Sequence, residues 1–306
     1  ANKLWNATRF ALMNLGGDTP ASLGRPQKGD QLEDEDLAIL SMLERTKAQA
    51  TELYASYNLG EAAKLIYEFA WNRVCDNYIE WVKPRLSGGD SNSRTAALKV
   101  LSTCILDVLV MLHPLMPHIT EELWHALTKA DDDEFLALQN WPEPQPELIS
   151  EVQEYLFSVG ISTVSSIRSL RAASDCKPNE KISVSIPAGR DKQWQAFIVR
   201  NNEKISRLVG ASEILPEAID GQIIGIVESE KVVGISISPE RREKVRQKFE
   251  KDLAKKEKEA AGLKARLTNP NFAGKAPPEV VAECQANLAE AEAQAELARK
   301  RLVDLG

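Results

Sequence analysis

Several features are scarce in this sequence, and each scarcity excludes a class of protein. Four cysteines are spread over 306 residues without a CxxC pair, so the spacing predicts neither a zinc ribbon nor a disulfide framework. A reducing compartment fits this usage best, and we expect a cytoplasmic protein. Only three histidines are present, His113, His118 and His125. Their spacing matches no usual metal-ligand pattern, so we interpret them as capping or packing residues and expect no metal.

Charge of one sign and long apolar runs are also lacking. The net charge of −7 argues against a uniformly basic nucleic-acid binder, although a local basic surface remains compatible with it. The most apolar run, Val100 to Leu112, is short and carries Asp107, which predicts a buried helix and no membrane partner. The chain starts at Ala1 in helical sequence, and we expect the C-terminal part of a larger protein.

The hydrophobic pattern predicts a mainly α protein of three modules. Residues 1–146 form a helical bundle, residues 147–237 a small α+β module, and residues 238–306 an antiparallel coiled-coil hairpin. Trp141 and three prolines (Pro142, Pro144 and Pro146) predict a stiff, extended linker after the bundle. Within 147–237 we find no phosphate loop, nucleophile or paired acid and base, so no enzyme activity of its own is expected.

The bundle is organised around a proline-broken joint, HPLMPHITEELWHAL, at residues 113–127. Pro114 and Pro117 lack an amide N–H and disfavour helix in the residue before them, so one helix ends and the next begins here. Upstream, Asn58 and Glu61 predict a capping box for a helix that ends before Pro84. We interpret Trp71, Tyr78 and Trp81 in that helix as packing residues.

The opening helix, ANKLWNATRFALMNL, carries an unusual polar face. At about 100° per residue, Leu4, Ala7, Thr8, Ala11, Leu12 and Leu15 share one face, with Trp5 at its edge. The opposite face holds Asn2, Lys3, Asn6, Arg9 and Phe10. One interpretation is that another helix covers Phe10. The other is a nucleobase platform, with the ring stacking a base while Lys3 and Arg9 hold phosphates or base edges.

Two apolar stripes predict the closing hairpin. Residues step by threes and fours from Val245 to Leu267 and again from Val281 to Leu302, and a turn containing Asn269-Pro270 and Pro277-Pro278 joins them. In the first helix of the predicted hairpin, Lys and Arg outnumber Asp and Glu. This local excess is typical both of a solvated coiled-coil surface and of a nucleic-acid-binding arm.

Three segments, in this order, resemble the C-terminal part of the valyl-tRNA synthetase family. They are the opening ANKLWNATRF, the joint HPLMPHITEELW and the turn TNPNFAGKAPPEVVAE. The joint is similar in the isoleucine and leucine enzymes of the same class I group, whereas the turn is the specific part. The resemblance covers essentially the whole chain. The adenylate-forming motifs HIGH and KMSKS are absent from these residues.

The resemblance implies a valine tRNA partner, no DNA and a monomer. The bundle would bind the anticodon stem-loop, with Lys3, Arg9 and Phe10 at base-contacting positions and Asn2 and Asn6 as neighbours on the same face. The hairpin would contact the tRNA elbow through residues of its first helix and its turn: Arg241, Arg242, Lys244, Arg246, Lys248, Phe272 and Lys275. Full-length members attach valine to its tRNA with ATP and Mg²⁺, and no cofactor is expected within this chain. The alternative is a coiled-coil module for protein interaction or self-association.

Overall fold

The computed structural model describes most of the chain: residues 2–27, 30–88, 90–187, 189, 191–219, 222–227, 231–269 and 278–304. It divides into two compact units, Ala1–Ile161 and Ser162–Gly306. The first unit thus ends beyond the boundary expected near Pro146, and the three-module division stays a prediction.

The first unit is a helical bundle, as the sequence predicts. Its helices are α1 (Asn2–Leu15), α2 (Pro20–Leu23), α3 (Asp34–Ala55), α4 (Leu59–Glu68), a π-helical segment (Phe69–Tyr78), α5 (Ile79–Gly88), α6 (Ser91–Leu112) and α7 (Pro117–Thr128), followed by two short 3-10 turns (Leu136–Leu138 and Pro146–Leu148). Helix α6 is long and apolar enough to cross a membrane by length and composition alone, but 78% of its apolar window is buried in the protein. It is therefore the central core helix of the bundle.

The proline joint has the predicted form. Helix α6 ends at Leu112, and Pro117 is the first residue of α7. The His113 Nδ1 atom lies 2.8 Å from Thr120 Oγ1, which also donates to the Met116 carbonyl. His113 therefore packs across the joint, as a structural residue.

The prediction that a helix ends before Pro84 is wrong. Pro84 lies inside α5, which continues to Gly88. Immediately after it, Arg85 and Leu86 are buried, and Arg85 donates to the carboxylate of Glu35 on α3 over 2.8 Å. Tertiary contacts thus hold a helical turn that the proline alone disfavours. Likewise, Asn58 precedes α4 but makes no side-chain capping bond, so the predicted capping box does not form.

The proline-rich segment after α7 packs on α3 and is not a free linker. Trp141 stacks edge-on against Tyr54, with ring centroids 5.2 Å apart, and its Nε1 donates to Thr51. The Lys47 ammonium donates to the Glu143 carbonyl, and the Gln145 N–H donates to Glu44. These contacts explain why the first unit extends past the prolines.

The second unit contains a four-stranded mixed sheet. Helix α8 (Glu151–Ala173) precedes β1 (Ile182–Ser185), and α9 (Lys192–Val209) connects β1 to β2 (Ala211–Leu215); β3 (Ile223–Val227) and β4 (Lys231–Ile235) follow. The order is β2-β1-β4-β3, with β1 parallel to β2 and antiparallel to β4. Strand β2 was not predicted from the sequence. It follows the left-handed Gly210 that ends α9, and two of its five residues are exposed, so it lacks a strand's usual alternation.

The closing hairpin is confirmed. Helices α10 (Pro239–Thr268) and α11 (Pro278–Asp304) pair along the predicted stripes. Val245 and Phe249 of α10 are buried, as are Cys284, Ala291, Ala295 and Ala298 of α11. Small alanines let the two helices approach closely. The turn between them, with Phe272 and Lys275, lies outside the described residues.

Candidate nucleic-acid interface

Helix α1 presents a continuous exposed face. Its apolar face, with Ala7, Ala11 and Leu15, is buried in the bundle, and this fixes which side meets solvent. Asn2, Asn6 and Arg9 are exposed there, so the structure brings three of the five predicted residues together. Two apolar side chains share the surface: Trp5 is 46% exposed and Met13 74% exposed. The helical wheel predicts Trp5 at the edge of the buried face, but its side chain is nearly half-exposed.

Phe10 occupies an intermediate position. Its ring is partly buried and packs against the hydrophobic core, and its carbonyl accepts a hydrogen bond from Asn14 Nδ2. Both interpretations of Phe10 thus have a physical basis, because one part of the ring supports the bundle while another part remains accessible. Its role as a base platform stays a prediction.

Lys3 is held by two partners from the π-helical segment. Its ammonium lies 3.9 Å from the centroid of the Trp71 ring and 2.5 Å from Asp76 Oδ1. A cation over an indole face is an attractive arrangement. Trp71 is only half-buried, unlike Tyr78 and Trp81, which are buried as predicted. Trp71 and Asp76 orient the Lys3 side chain along the bundle surface.

Two cations at the base of the hairpin hold the hairpin to the α+β module. The guanidinium of Arg241 pairs with Glu180 and lies 3.7 Å from Cys176 Sγ. The hydrogen bond between Arg241 and Glu180 raises the pKa of Arg241 and lowers the pKa of Glu180. The Lys248 ammonium lies 3.5 Å from Asp175. Arg242 and Arg246 are half-buried, whereas Lys244 is exposed.

A lysine stripe runs along the outer side of α10. Lys244, Lys248, Lys251, Lys255 and Lys258 are all exposed. At 100° per residue they lie within about 80° of one another, and the middle of this arc is about 100° from the buried Val245 and about 140° from the buried Phe249. We name these five residues the lysine stripe. The sequence prediction missed Lys251, Lys255 and Lys258 as site residues, although their alternating spacing of three and four was the signal that would have found them.

The second helix of the hairpin, α11, presents mainly negative charge. Glu290, Glu292 and Glu296 are exposed on α11. On α10 itself, Glu257 pairs with Arg299 of α11 over 2.6 Å, so this acid faces the partner helix. A polyanion therefore meets a favourable field on the lysine stripe and an unfavourable one on α11.

Two other arginines and His125 have structural roles. Arg171 is buried and donates to the carbonyls of Lys177 and Glu180, over 2.9 Å each, and Arg168 donates to the Leu208 carbonyl. His125 Nε2 lies 3.4 Å from Glu121, which also accepts from the Leu136 N–H. Among the described residues, no group of three or more His, Cys, Asp or Glu has the arrangement of a metal site.

Comparisons with known proteins match the bundle from residue 36 onward and the closing hairpin. A family model described as the anticodon-binding domain of tRNA ligase matches residues 36–186, and one described as the valyl tRNA synthetase tRNA binding arm matches residues 243–306. The chain is 48% identical over 322 residues to a valine--tRNA ligase of Prochlorococcus marinus strain MIT 9313, and 44% identical over 326 residues to one of Parasynechococcus marenigrum strain WH8102.

These relatives are much longer than the chain. Each alignment covers 100% of this chain, but only 34% of the Prochlorococcus protein and 35% of the Parasynechococcus protein. A valine--tRNA ligase of Thermosynechococcus vestitus shows 40% identity with the same coverage of 100% and 34%. The chain thus spans about a third of the length of the curated relatives that it matches.

Proposed function

We propose that this chain, which belongs to the valyl-tRNA synthetase family, binds valine tRNA through two separate surfaces. The exposed face of α1 contacts the anticodon loop, and the hairpin contacts the tRNA elbow. The observation that carries the proposal is the lysine stripe, since it gives the predicted arm a defined phosphate-binding side.

The geometry of the stripe suits an RNA backbone. From Lys244 to Lys258 the helix rises about 21 Å at 1.5 Å per residue, with a cation about every 5 Å. Each lysine that neutralises a phosphate releases counterions and adds affinity that falls with salt. This recognition is independent of base sequence. The arm therefore contributes affinity and orientation, while Arg241 and Lys248 also fix the hairpin against Glu180 and Asp175 in the turn that follows α8.

The α1 face supplies sequence readout. Amide side chains of Asn2 and Asn6 donate to and accept from base edges, and Arg9 offers a planar guanidinium that hydrogen-bonds and stacks. Phe10 provides an aromatic ring beside them that stacks a base. Two contacts on one rigid tRNA raise each other's effective concentration, so the pair of surfaces binds more tightly than either alone.

The catalytic part of the parent protein lies in the portion of the relatives that this chain does not span. There the parent joins valine to its tRNA with ATP and Mg²⁺. This chain acts in the cytoplasm as a monomer with three modules: the bundle, the α+β module and the arm. The alternative of a self-associating coiled coil is not favoured, because the apolar stripes of α10 and α11 already face each other.

The test compares two RNAs and two variants. Binding of a valine tRNA transcript, and of the same transcript with altered anticodon bases, is measured by filter retention or fluorescence anisotropy. We expect Arg9→Ala to reduce discrimination between the two RNAs. Replacing Lys251, Lys255 and Lys258 by Gln should weaken both RNAs equally. Failure of the unmodified chain to bind either RNA would overturn the proposal.

A further inference from the structure

An apolar cleft opens beside Lys3 in the first unit. Its volume is about 420 Å³, within the range of small-molecule sites. Helix α1, the segment from α4 into the π-helical turns, and the joint after α6 enclose it. The floor and sides are mainly apolar: Leu4, Ala70, Cys75, Leu112, Leu115 and Met116. The contacts proposed above for Asn2, Asn6, Arg9 and Phe10 do not use this cleft.

Two aromatic rings form one wall of the cleft. Tyr67 and Trp71 are stacked, with centroids 5.1 Å apart and planes inclined by 28°. Tyr67 nevertheless remains 51% exposed. A large aromatic side chain that is stacked on one side and open on the other is a ready platform for a further flat ring. The π-helical turn begins just after Tyr67, and such turns recur at functional sites.

Two cations border this apolar space. The Lys3 ammonium sits over Trp71, and the exposed Lys64 lines the rim beside Tyr67. An occupant that matches both features has a flat, weakly polar ring joined to an anion. A nucleotide of single-stranded RNA has this combination, since every base has a π-face and every phosphate a negative charge.

We propose that the cleft takes one extruded nucleobase of the anticodon loop. The base stacks on the open face of Tyr67, Lys3 donates to an acceptor on the edge of the base, and Lys64 neutralises the flanking phosphate. The inference rests on the proposed function, because its ligand is the RNA that the α1 face binds. Lys3 belongs to both surfaces, so the cleft continues the α1 face around the bundle.

The test uses the full chain and the anticodon stem-loop of valine tRNA with 2-aminopurine at one loop position at a time. Tyr67→Ala removes the platform, Tyr67→Leu keeps apolar volume without a π-face, and Tyr67→Phe keeps the ring. Phe135→Ala is the matched control, because Phe135 is 47% exposed and does not line the cleft. Thermal unfolding monitored by circular dichroism confirms that each variant is folded.

We expect Tyr67→Ala and Tyr67→Leu to raise the Kd about 5-fold to 150-fold, the range for loss of one base stack. Tyr67→Phe and Phe135→Ala should stay within about twofold of the unmodified chain. One labelled position should show fluorescence quenching that both non-aromatic variants abolish. If the unmodified chain binds the stem-loop tightly and neither Tyr67→Ala nor Tyr67→Leu changes the Kd, the cleft proposal is overturned and the proposed function stands. Absence of stem-loop binding by the unmodified chain would overturn the proposed function as well.

Discussion

Arg85 lies between two buried carboxylates: its Nη1 donates to Glu35 and its Nη2 pairs with Asp36, each over 2.8 Å. Tyr78 adds a hydrogen bond to Asp36 over 2.6 Å. Glu35, Asp36 and Tyr78 are fully buried, and Arg85 is 5% exposed. Burial acts to lower the pKa of Arg85, but the charge and hydrogen bond of Asp36 outweigh it and raise that pKa. The network joins α3 to α5 just after Pro84.

This network yields a stability prediction. Arg85→Met keeps the length of the side chain but leaves two buried acids without their cation. We expect a loss of about 3–5 kcal/mol in the free energy of unfolding, as for other broken buried pairs. Urea denaturation followed by circular dichroism measures it. Arg9→Met, at an exposed arginine, serves as the matched control and should change stability by less than about 0.5 kcal/mol. Equal urea midpoints for the two variants would contradict the prediction.

The intermediate burial of Phe10 predicts different effects for two substitutions. Phe10→Ala removes both the core contact and the ring, so we expect weaker tRNA binding together with a loss of about 1–3 kcal/mol in stability. Phe10→Leu keeps the apolar contact and costs less than about 1.5 kcal/mol, but it removes the π-face. A stable Phe10→Leu chain with at least about fivefold weaker binding would identify the ring as a stacking platform. Unchanged binding by Phe10→Leu would assign Phe10 to the core.

The lysine stripe predicts a change in salt dependence. Each lost phosphate contact lowers the slope of log affinity against log salt by about 0.7–0.9. Replacing Lys251, Lys255 and Lys258 by Gln should therefore flatten the slope by about 2–3. Lys177, Lys181 and Lys192 are exposed lysines outside the arm, and the same triple replacement there removes an equal charge. If both triple variants shift the slope alike, the effect comes from net charge and the stripe is not the contact surface.

The hairpin and the bundle were predictable because their signals are local. Spacings of three and four define the stripes of α10 and α11, and Pro114 and Pro117 locate the joint from two residues alone. The course of α5 through Pro84 was not predictable in this way. It depends on Arg85 meeting Glu35, fifty positions earlier in the chain, and periodicity carries no information about such a partner.

The candidate site residues differ in the same way: some are predictable from local spacing, and others depend on contacts between helices. Exposure of Asn2, Asn6 and Arg9 follows from the helical wheel of α1, and the lysine stripe is equally readable from spacing. The contact between Lys3 and Trp71, by contrast, joins residues of different helices. The sequence assigned Trp71 to packing, because an aromatic residue in an apolar helix is usually buried. Only the position of the π-helical segment against α1 leaves that ring half-exposed.

The burial of Cys75 in the wall of the cleft predicts that its thiol reacts slowly with alkylating reagents. Desolvation raises the pKa of Cys75 to about 11, so the reactive thiolate is a small fraction at pH 8. We expect alkylation by iodoacetamide to be slow at pH 8 and to accelerate about tenfold per pH unit up to pH 10. Mass spectrometry of the Cys75 peptide measures the rate, with the chain unfolded in urea as reference. Equal rates in the folded and unfolded chain at pH 8 would show that the thiol is exposed.

The pair of Arg241 and Glu180 predicts the result of a charge exchange. Arg241→Glu alone places two acids together at the base of the hairpin, and we expect it to weaken tRNA binding by misplacing the arm. The double variant Arg241→Glu with Glu180→Arg restores an ion pair of the same two groups while it moves the cation off α10. If Arg241 acts by positioning the arm, the double variant regains most of the affinity.

If Arg241 instead contacts a phosphate directly, affinity stays low in the double variant although circular dichroism and thermal unfolding return to those of the unmodified chain. We expect recovery, because the Arg241 guanidinium already has the Glu180 carboxylate as its partner, whereas the exposed stripe residues Lys251, Lys255 and Lys258 present their charges to solvent.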